Sequence, residues 1–449
     1  MNLRILSYLL FAVLFWIMVF YSPIVHFLHT SIYLRYIVYI AVFAMWASTM
    51  ILTKRGVLKL NRFDFVILLF VAYTLLLIYF KMRYGIISRM EFVGEIAAYV
   101  APFLLLYPVM KSLIFANPKI LPWVYNMFVI IGVVFSVDIL LGTFLIKVVN
   151  IKAIAIYPWA LDGITVGSRE QIVDSTLGGY NLYQIMRAVP TLYGYPKPHF
   201  EAYALGVCFC STLAIKGDRN LVVWLFLSAI MIIYVKAVIV GVFFVIIYYF
   251  WVKKRKTVFI FCLCTTGIIL TITDFYYRFI GTITYYTNPH NADSFRFLFW
   301  PFEALHAFFC SSLSEIAFGL EPFKQIGWNS VYATELRILS GQLFKFGAVW
   351  FFIYMAIFYI GFRMLTKTNR YLANIGDTEA EKIVLGLIMI LILSVLSSLH
   401  YLSAVTGSNI HYLIFVFAAA SSISYDVRKR VVSHTKAIQD TVGMAGTKS

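Results

Sequence analysis

The residues of this chain best suited to chemistry are basic side chains that stand in or beside apolar segments. Lys236 is the most isolated of them, because it lies between the apolar runs 230–235 and 237–240. An ionisable group in such surroundings costs about 3 kcal/mol or more unless it meets water, a counter-ion or a ligand. Lys236 is therefore either a functional residue or a side chain that snorkels from a hairpin tip to a membrane surface.

Further cations lie in or beside two long segments between apolar runs: Arg169, Arg187, Lys197, Arg278, Arg296, Arg337 and Lys345. Arg and Lys are the side chains that clamp diphosphates, and Arg can do so with two parallel hydrogen bonds. The chain has no Walker-type glycine loop, which argues against a nucleotide as the ligand. The pattern favours a diphosphate carried by a lipid.

Two residues are candidates for accepting a proton. His199 precedes Glu201 at the start of an apolar run, and Glu335 lies shortly before another. A helix that begins near 199–201 would favour an anion at its N-terminus, so His199 is a candidate phosphate ligand. It is also a candidate base, and the alternative is an interfacial residue without a catalytic role. Aromatic residues alternate with charges before it, which suits either sugars or an interfacial aromatic belt.

The composition shows the setting in which these residues act. Of the 449 residues, 62% are hydrophobic and only 13% are charged, whereas soluble domains are about one quarter charged. This excludes a soluble globular protein. The formal net charge of +17 does not imply a nucleic-acid partner, because positive charge collects on the cytoplasmic loops of membrane proteins. The spacing of the cysteines indicates packing residues, and we expect neither a metal nor a cofactor.

A membrane-spanning helix needs about 20 mostly apolar residues, and runs of roughly this size recur along the chain. They predict an all-α polytopic membrane protein with about 12 spans, near residues 5–21, 32–52, 63–80, 92–110, 121–146, 199–215, 220–235, 237–252, 257–273, 343–365, 383–403 and 409–425. The two runs on either side of Lys236 predict a tight hairpin rather than one interrupted helix.

Most of the 37 Lys and Arg residues fall on one side of these spans, which predicts that both termini are cytoplasmic. The chain then divides into spans 1–5 at 1–146, a first large outer loop at 147–198, spans 6–9 at 199–273, a second large outer loop at 274–342, spans 10–12 at 343–425, and a cytoplasmic tail at 426–449. Apolar residues at helical spacing within 295–309 predict an amphipathic helix along the membrane surface in the second loop.

Several short motifs follow the Lys236 hairpin in a fixed order. They are Ser294-x-Arg296 with Trp300, then Phe318-Gly319-Leu320-Glu321, then Glu335-Leu336 ahead of a long span. In this order the chain resembles the bacterial O-antigen polymerase and O-antigen ligase superfamily over about residues 195–365.

The resemblance implies a metal-independent glycosyltransferase of the GT-C type, in the inner membrane, with its active site on the periplasmic face. Its substrate would be an oligosaccharide linked to undecaprenyl diphosphate, and its partner a polysaccharide chain-length regulator. Lys236, Arg296 and Arg337 would bind the diphosphate, and Glu335 or His199 would accept the proton. Arg187 and Lys197, together with Arg169 and Arg278, would hold or steer the donor.

The chain departs from the superfamily in two features. The family has Arg where this chain has Lys236, which keeps the charge but loses the two parallel hydrogen bonds. Ligases have a His in the region that is 327–335 here, where this chain has none, and this absence favours the polymerase branch. The arginine-to-glycine spacings of polymerases, at Arg169 to Gly179 and Arg337 to Gly347, are each one residue short. The alternatives are a ligase that transfers glycan to lipid A core, a flippase or other transporter, and a structural partner in an export complex.

Overall fold

In the computed structural model the described residues are 3–27, 33–52, 60–147, 198–233, 235–255, 310, 312–319, 340–398 and 410–427. Most of them are helical, and no strand occurs among them. In chain order the helices are α1 (Leu3–Phe27), α2 (Tyr33–Leu52), α3 (Arg62–Arg83), α4 (Arg89–Glu95), α5 (Tyr107–Ala116), α6 (Ile120–Lys147), α7 (Pro198–Lys216), α8 (Leu221–Ile233), α9 (Lys236–Val252), α10 (Leu313–Phe318), α11 (Ser340–Ile375), α12 (Thr378–Ser398) and α13 (Ile410–Val427).

Six helical segments in the described part are long and apolar enough to cross a membrane: Arg62–Arg83, Arg89–Ala116, Ile120–Gly142, Phe346–Ile375, Thr378–Ser397 and Ile410–Val427. Four shorter apolar stretches accompany them, in α1, α2, α8 and α9. The prediction of a helical membrane protein is confirmed, as expected for a backbone that must satisfy its own hydrogen bonds in lipid. The predicted span at 257–273 lies outside the described residues.

The span at Arg89–Ala116 joins α4 to α5 through two π-helical turns, Ile96–Val100 and Pro102–Leu106. Pro102 lacks the N–H that a regular helix would donate, which accounts for an irregular ladder at this point.

Aromatic side chains fill much of the space between α3 and α11. The rings of Phe346, Trp350 and Tyr354 stack along α11, with centroids 4.8 and 5.2 Å apart. The Trp350 indole donates a hydrogen bond of 2.9 Å to Thr74 of α3. Large apolar side chains such as Phe352, 69% exposed, lie on the outside of the bundle. A bundle that is apolar both inside and outside is what a lipid environment requires.

The predicted hairpin around Lys236 is confirmed. The start of α8 and the end of α9 meet, because Arg255 forms an ion pair of 3.0 Å with Asp218. Helix α8 ends at Ile233, and Lys236 is the first residue of α9. The 13 residues of α8 are about 20 Å long and the 17 residues of α9 about 26 Å, so each is shorter than the roughly 30 Å of membrane hydrocarbon.

Helices α11 and α12 extend into the segment between the spans predicted at 343–365 and 383–403, so the basic residues there are mostly helical. Helix α11 continues to Ile375 and α12 begins at Thr378, so only two residues join them. The carboxylate of Asp377 accepts a hydrogen bond of 3.2 Å from the backbone N–H of Ala380, which caps α12. Charged side chains on a helix that extends beyond the membrane are solvated as well as those on a loop, so charge alone does not mark where a helix ends.

Candidate functional site at the far end of the bundle

The helices have a near end and a far end. The near end holds the first turns of α3 and α12 and the last turns of α5, α9 and α13, where Lys253 and Glu381 lie 3.5 Å apart. The far end holds the last turn of α3 and the first turns of α4, α7 and α9. The positive charge predicts that the near end is cytoplasmic and the far end periplasmic.

Two acidic residues meet towards the far end, Asp138 of α6 and Glu201 of α7; we call them the far-end carboxyl pair. Helices α6 and α7 come close because Gly132 has no side chain: a methyl group there would collide with Phe226 and lie 2.8 Å from Cβ of Cys208. Asp138 lies six residues after Gly132 on α6. Glu201 lies seven residues before Cys208 on α7, which runs in the opposite direction. The two carboxyl groups therefore lie at one level and interact electrostatically.

The Glu201 side chain is 0% exposed, and apart from its interaction with Asp138 neither of its carboxylate oxygens has a hydrogen-bond partner among the described residues. A buried carboxylate without a partner is strongly unfavourable, and a second carboxyl group beside it adds like-charge repulsion. This arrangement therefore does not stabilise the folded state. Buried ionisable groups of this kind inside a membrane are functional candidates.

Asp138 lies at the edge of the interior. It is half-buried, whereas its neighbours one helical turn away on α6, Val134 and Leu141, are 44% and 50% exposed. Those exposed apolar residues belong to the surface that faces lipid. The far-end carboxyl pair is therefore adjacent to the lipid-facing surface, with Asp138 on the outside and Glu201 behind it.

Lys236 lies on a third helix near this level. A methyl group on Gly206 of α7 would lie 3.3 Å from Cγ1 of Val238, so Val238 packs level with Gly206. Helices α7 and α9 run in the same direction, which places the backbone of Lys236 about level with Ala204, one turn deeper than Glu201. On α12, the buried hydroxyl of Ser397 has no hydrogen-bond partner in the described ranges.

A second feature of the far end anchors part of the second predicted loop. The buried ammonium of Lys81 donates a hydrogen bond of 2.7 Å to the carbonyl of Gly319, directly after α10, and lies 5.3 Å from the ring centre of Phe346. A cation at a helix C-terminus satisfies a free carbonyl there.

The same short helix also explains a break in α11. Gly347 interrupts α11 with a φ of 81° and a ψ of 171°, and a methyl group on it would collide with the Ala317 carbonyl and lie 2.6 Å from the Phe318 nitrogen. Only glycine accepts both the dihedral angles and this close approach. The arginine-to-glycine spacing that ends at Gly347 thus ends at the residue on which α10 docks.

The structure describes few of the predicted site residues. Those outside the described residues are Arg169, Arg187, Lys197, Arg278, Arg296, Glu335 and Arg337. His199 lies in the first turn of α7 and Lys236 in the first turn of α9, and for both only the helical backbone is described. Both therefore belong to the far end, as the span prediction requires.

Sequence reasoning assigned no role to Asp138 or Lys81. Asp138 is a single charge inside an apolar run, which is the pattern of an intramembrane functional candidate, whereas Lys81 lies at the end of such a run, two residues before Arg83. What the sequence lacks is the pairing of Asp138 with a carboxyl group 63 positions along the chain, and of Lys81 with a carbonyl 238 positions away.

The near end holds a contrasting set of polar residues, which we call the near-end cluster: Asn61, Asp64, Tyr107, Lys111 and Ser421. The Asp64 carboxylate pairs with the Lys111 ammonium and accepts hydrogen bonds from Tyr107 at 2.5 Å and Ser421 at 3.0 Å. It also accepts one from the Asn61 backbone N–H, which caps α3. Every oxygen of this buried carboxylate is satisfied, so the near-end cluster holds α3, α5 and α13 together.

Comparisons with known proteins find no match: neither a protein-family model nor a curated relative matches this chain. Within the described ranges, no group of three or more His, Cys, Asp or Glu residues is placed to hold a metal ion. The residues of the far end and the motifs at 195–365 are therefore the features from which a function can be inferred.

Proposed function

We propose that the chain is a surface-polysaccharide (O-antigen) polymerase, which joins oligosaccharide repeat units linked to undecaprenyl diphosphate. The observation that carries the proposal is the unsatisfied Glu201 beside Asp138, next to the lipid-facing surface and at the same end as Lys236. A lipid-linked donor arrives sideways through the bilayer, so its enzyme needs charged groups at this depth that open towards lipid.

In the proposed reaction a sugar hydroxyl of one repeat unit attacks the anomeric carbon of another. The bond from that carbon to the diphosphate breaks, and undecaprenyl diphosphate leaves with the electron pair. Cations stabilise the negative charge that grows on the leaving group, a contribution that dominates catalysis of this kind. We assign this role to Lys236, Arg296 and Arg337, and donor steering to Arg187 and Lys197, with Arg169 and Arg278 as further donor contacts.

The proposal includes an architecture and a location. We propose about 12 spans in a GT-C-like arrangement, in the bacterial inner membrane, with cytoplasmic termini and a periplasmic site. The docking of α10 on Lys81 and Gly347 supports an enzyme, because it fixes part of the second loop to the bundle between Arg296 and Arg337 in the chain. A chain-length regulator is the protein partner that the proposal implies.

The test is a gel profile of cell-surface lipopolysaccharide from the native host with this gene deleted. The same strain is compared after expression of wild type, Lys236→Ala or Arg296→Ala. We expect core capped with a single repeat unit in the deletion strain and in both variants, and a full ladder with the wild type. Equal membrane levels of the variants, measured by immunoblot, exclude loss of the protein.

Other profiles would contradict the proposal. Bare core, without any repeat unit, in the deletion strain would contradict the polymerase assignment. Long lipid-linked glycan that accumulates outside the inner membrane would then indicate a ligase. Single repeat units retained on the cytoplasmic side would indicate a flippase, for which buried charges are also expected. A ladder that is lost in the deletion strain but restored by both Lys236→Ala and Arg296→Ala would indicate a structural partner in an export complex.

A further inference from the structure

We infer that the far-end carboxyl pair supplies the proton acceptor for glycosyl transfer, with Asp138 as the catalytic residue and Glu201 as the residue that positions it. This inference rests on the proposed function and names a different acceptor from Glu335 and His199. It depends on three observations: the pairing of the two carboxyl groups, their unequal burial, and the lipid-facing surface beside Asp138.

The pairing limits the charge that the two groups carry. Two adjacent carboxylates in an apolar setting repel each other, so the pair keeps one proton and one negative charge. Glu201 is fully buried and has no cation among its interactions in the described residues, whereas Asp138 is half-buried. Because burial disfavours the charged form, we assign the shared proton to Glu201 and the charge to Asp138.

The position of Asp138 suits a proton acceptor for a lipid-linked sugar. It lies 18 residues along α6 from Ile120, which is about 27 Å and close to the thickness of membrane hydrocarbon. A headgroup that enters from the lipid beside Val134 and Leu141 therefore meets Asp138 before Glu201. Lys236 begins α9 at a similar depth and would lie on the diphosphate side of the same reaction.

The step is balanced. The oxygen of the acceptor hydroxyl forms the new bond to the anomeric carbon, and the bond from that carbon to the diphosphate oxygen breaks. The electron pair of the broken bond leaves with undecaprenyl diphosphate. The hydroxyl proton passes to the ionised carboxylate of Asp138. Glu201 keeps its proton throughout and, as a neutral group, orients the carboxylate beside it.

The experiment uses the full-length protein, purified and reconstituted in lipid vesicles, with the native host's repeat unit on undecaprenyl diphosphate as substrate. We expect Asp138→Asn to lower kcat at least 100-fold, the lower range for loss of a general base, with a change in KM of less than about threefold. Glu201→Gln keeps a neutral group of the same shape, so we expect it to stay within about tenfold of wild type. Glu201→Leu removes the polar group, and we expect it to lose at least tenfold more than Glu201→Gln.

Glu91→Gln is the matched control, since it removes a carboxylate charge at the far end. Glu91 is exposed and caps α4 through the Ser88 backbone N–H, and a Gln carbonyl accepts the same hydrogen bond. We expect this variant to keep wild-type kcat. Unfolding temperatures of all variants in detergent show whether a loss of activity is a loss of folding.

The outcomes separate this inference from the proposed function. If wild type elongates the glycan and Asp138→Asn does so equally well, the inference is overturned while the polymerase remains. Loss of activity in Glu335→Gln or His199→Ala, with Asp138→Asn active, would assign the proton to one of those residues. If Glu201→Gln is inactive and Asp138→Asn active, the assigned roles are wrong. If the wild type itself releases no undecaprenyl diphosphate, the proposed function fails first.

Discussion

The near-end cluster and the far-end carboxyl pair both bury an acidic side chain in an apolar bundle, but they solve the electrostatic problem differently. Asp64 is 1% exposed and is matched by an ammonium and by hydroxyl and backbone donors. Glu201 is 0% exposed and meets a second carboxyl group instead of a cation. The first arrangement lowers the energy of the fold, and the second raises it.

This difference indicates where the chain carries chemistry. A buried charge with all its partners fixes the positions of the helices and has no spare capacity for a ligand. A buried carboxyl group without a partner persists only when something other than stability depends on it. The near-end cluster therefore stabilises the bundle, and the far end is the candidate functional site.

The largest expected effect on folding is at the near end. Asp64→Ala leaves the Lys111 ammonium buried without its partner, and we expect a loss of about 3–5 kcal/mol in the free energy of unfolding. Titration of the purified protein from mild detergent into a denaturing detergent measures this change. The double variant Asp64→Asn with Lys111→Met is the control, because it removes both charges. A double variant no more stable than Asp64→Ala would mean that the ion pair is not what Asp64 contributes.

A smaller effect is expected where the second loop meets the bundle. Gly347→Ala forces a side chain into a backbone conformation that costs about 1–3 kcal/mol and into the space held by Ala317. We expect α10 to be displaced and polymer formation to fall, with the rest of the bundle intact. Limited proteolysis of membrane vesicles measures cleavage near 310–340. Gly94→Ala, where a methyl group meets nothing within 4 Å, is the control. Equal cleavage of the two variants would refute the docking of α10 on Gly347.

Lys81 tests the same contact through a side chain. Lys81→Met keeps the aliphatic stem but loses the hydrogen bond to the Gly319 carbonyl, and we expect a loss of about 1–3 kcal/mol. Thermal unfolding followed by intrinsic fluorescence measures it. Lys81→Arg, which can still donate to the carbonyl, should recover part of the loss. If Met and Arg give the same unfolding temperature, the hydrogen bond does not stabilise the fold.

The smallest effect on stability is expected at Glu201, and this prediction separates the two regions most sharply. Glu201→Gln removes a carboxyl group whose charged neighbour is a second carboxyl group and not a cation, so it loses no ion pair, and the Gln amide can still interact with Asp138. We expect the free energy of unfolding to change by less than about 1 kcal/mol in either direction. The same denaturing-detergent titration used for Asp64→Ala gives the value. A loss of unfolding free energy as large as that of Asp64→Ala would show that the far-end carboxyl pair stabilises the fold, and the contrast with the near-end cluster would be wrong.

Much of the fold was predictable because the membrane imposes simple rules on the sequence. Apolar runs of about 20 residues marked the spans that the structure describes, and the break at Lys236 marked the hairpin that the Asp218–Arg255 pair closes. The end of α11 was not predictable from charge, because a helix that leaves the membrane can carry solvated Lys and Arg side chains. Helix packing supplied what local pattern could not.

The candidate site was predictable only in part for the same reason. Sequence placed His199 and Lys236 at one end of the bundle, since both lie at the ends of apolar runs. It could not pair Asp138 with Glu201, because that contact depends on the close approach of α6 and α7 at Gly132. Nor could it distinguish Lys111, which lies inside an ion pair, from a solvated loop residue.

The most direct test of the central claim is to incubate the purified wild-type protein in lipid vesicles with a single repeat unit on undecaprenyl diphosphate. Product length and released undecaprenyl diphosphate are measured together by mass spectrometry. We expect a ladder of longer glycans with one undecaprenyl diphosphate released for each bond formed. Binding of the donor without any elongation or release, by protein that is folded and correctly inserted, would contradict the central claim.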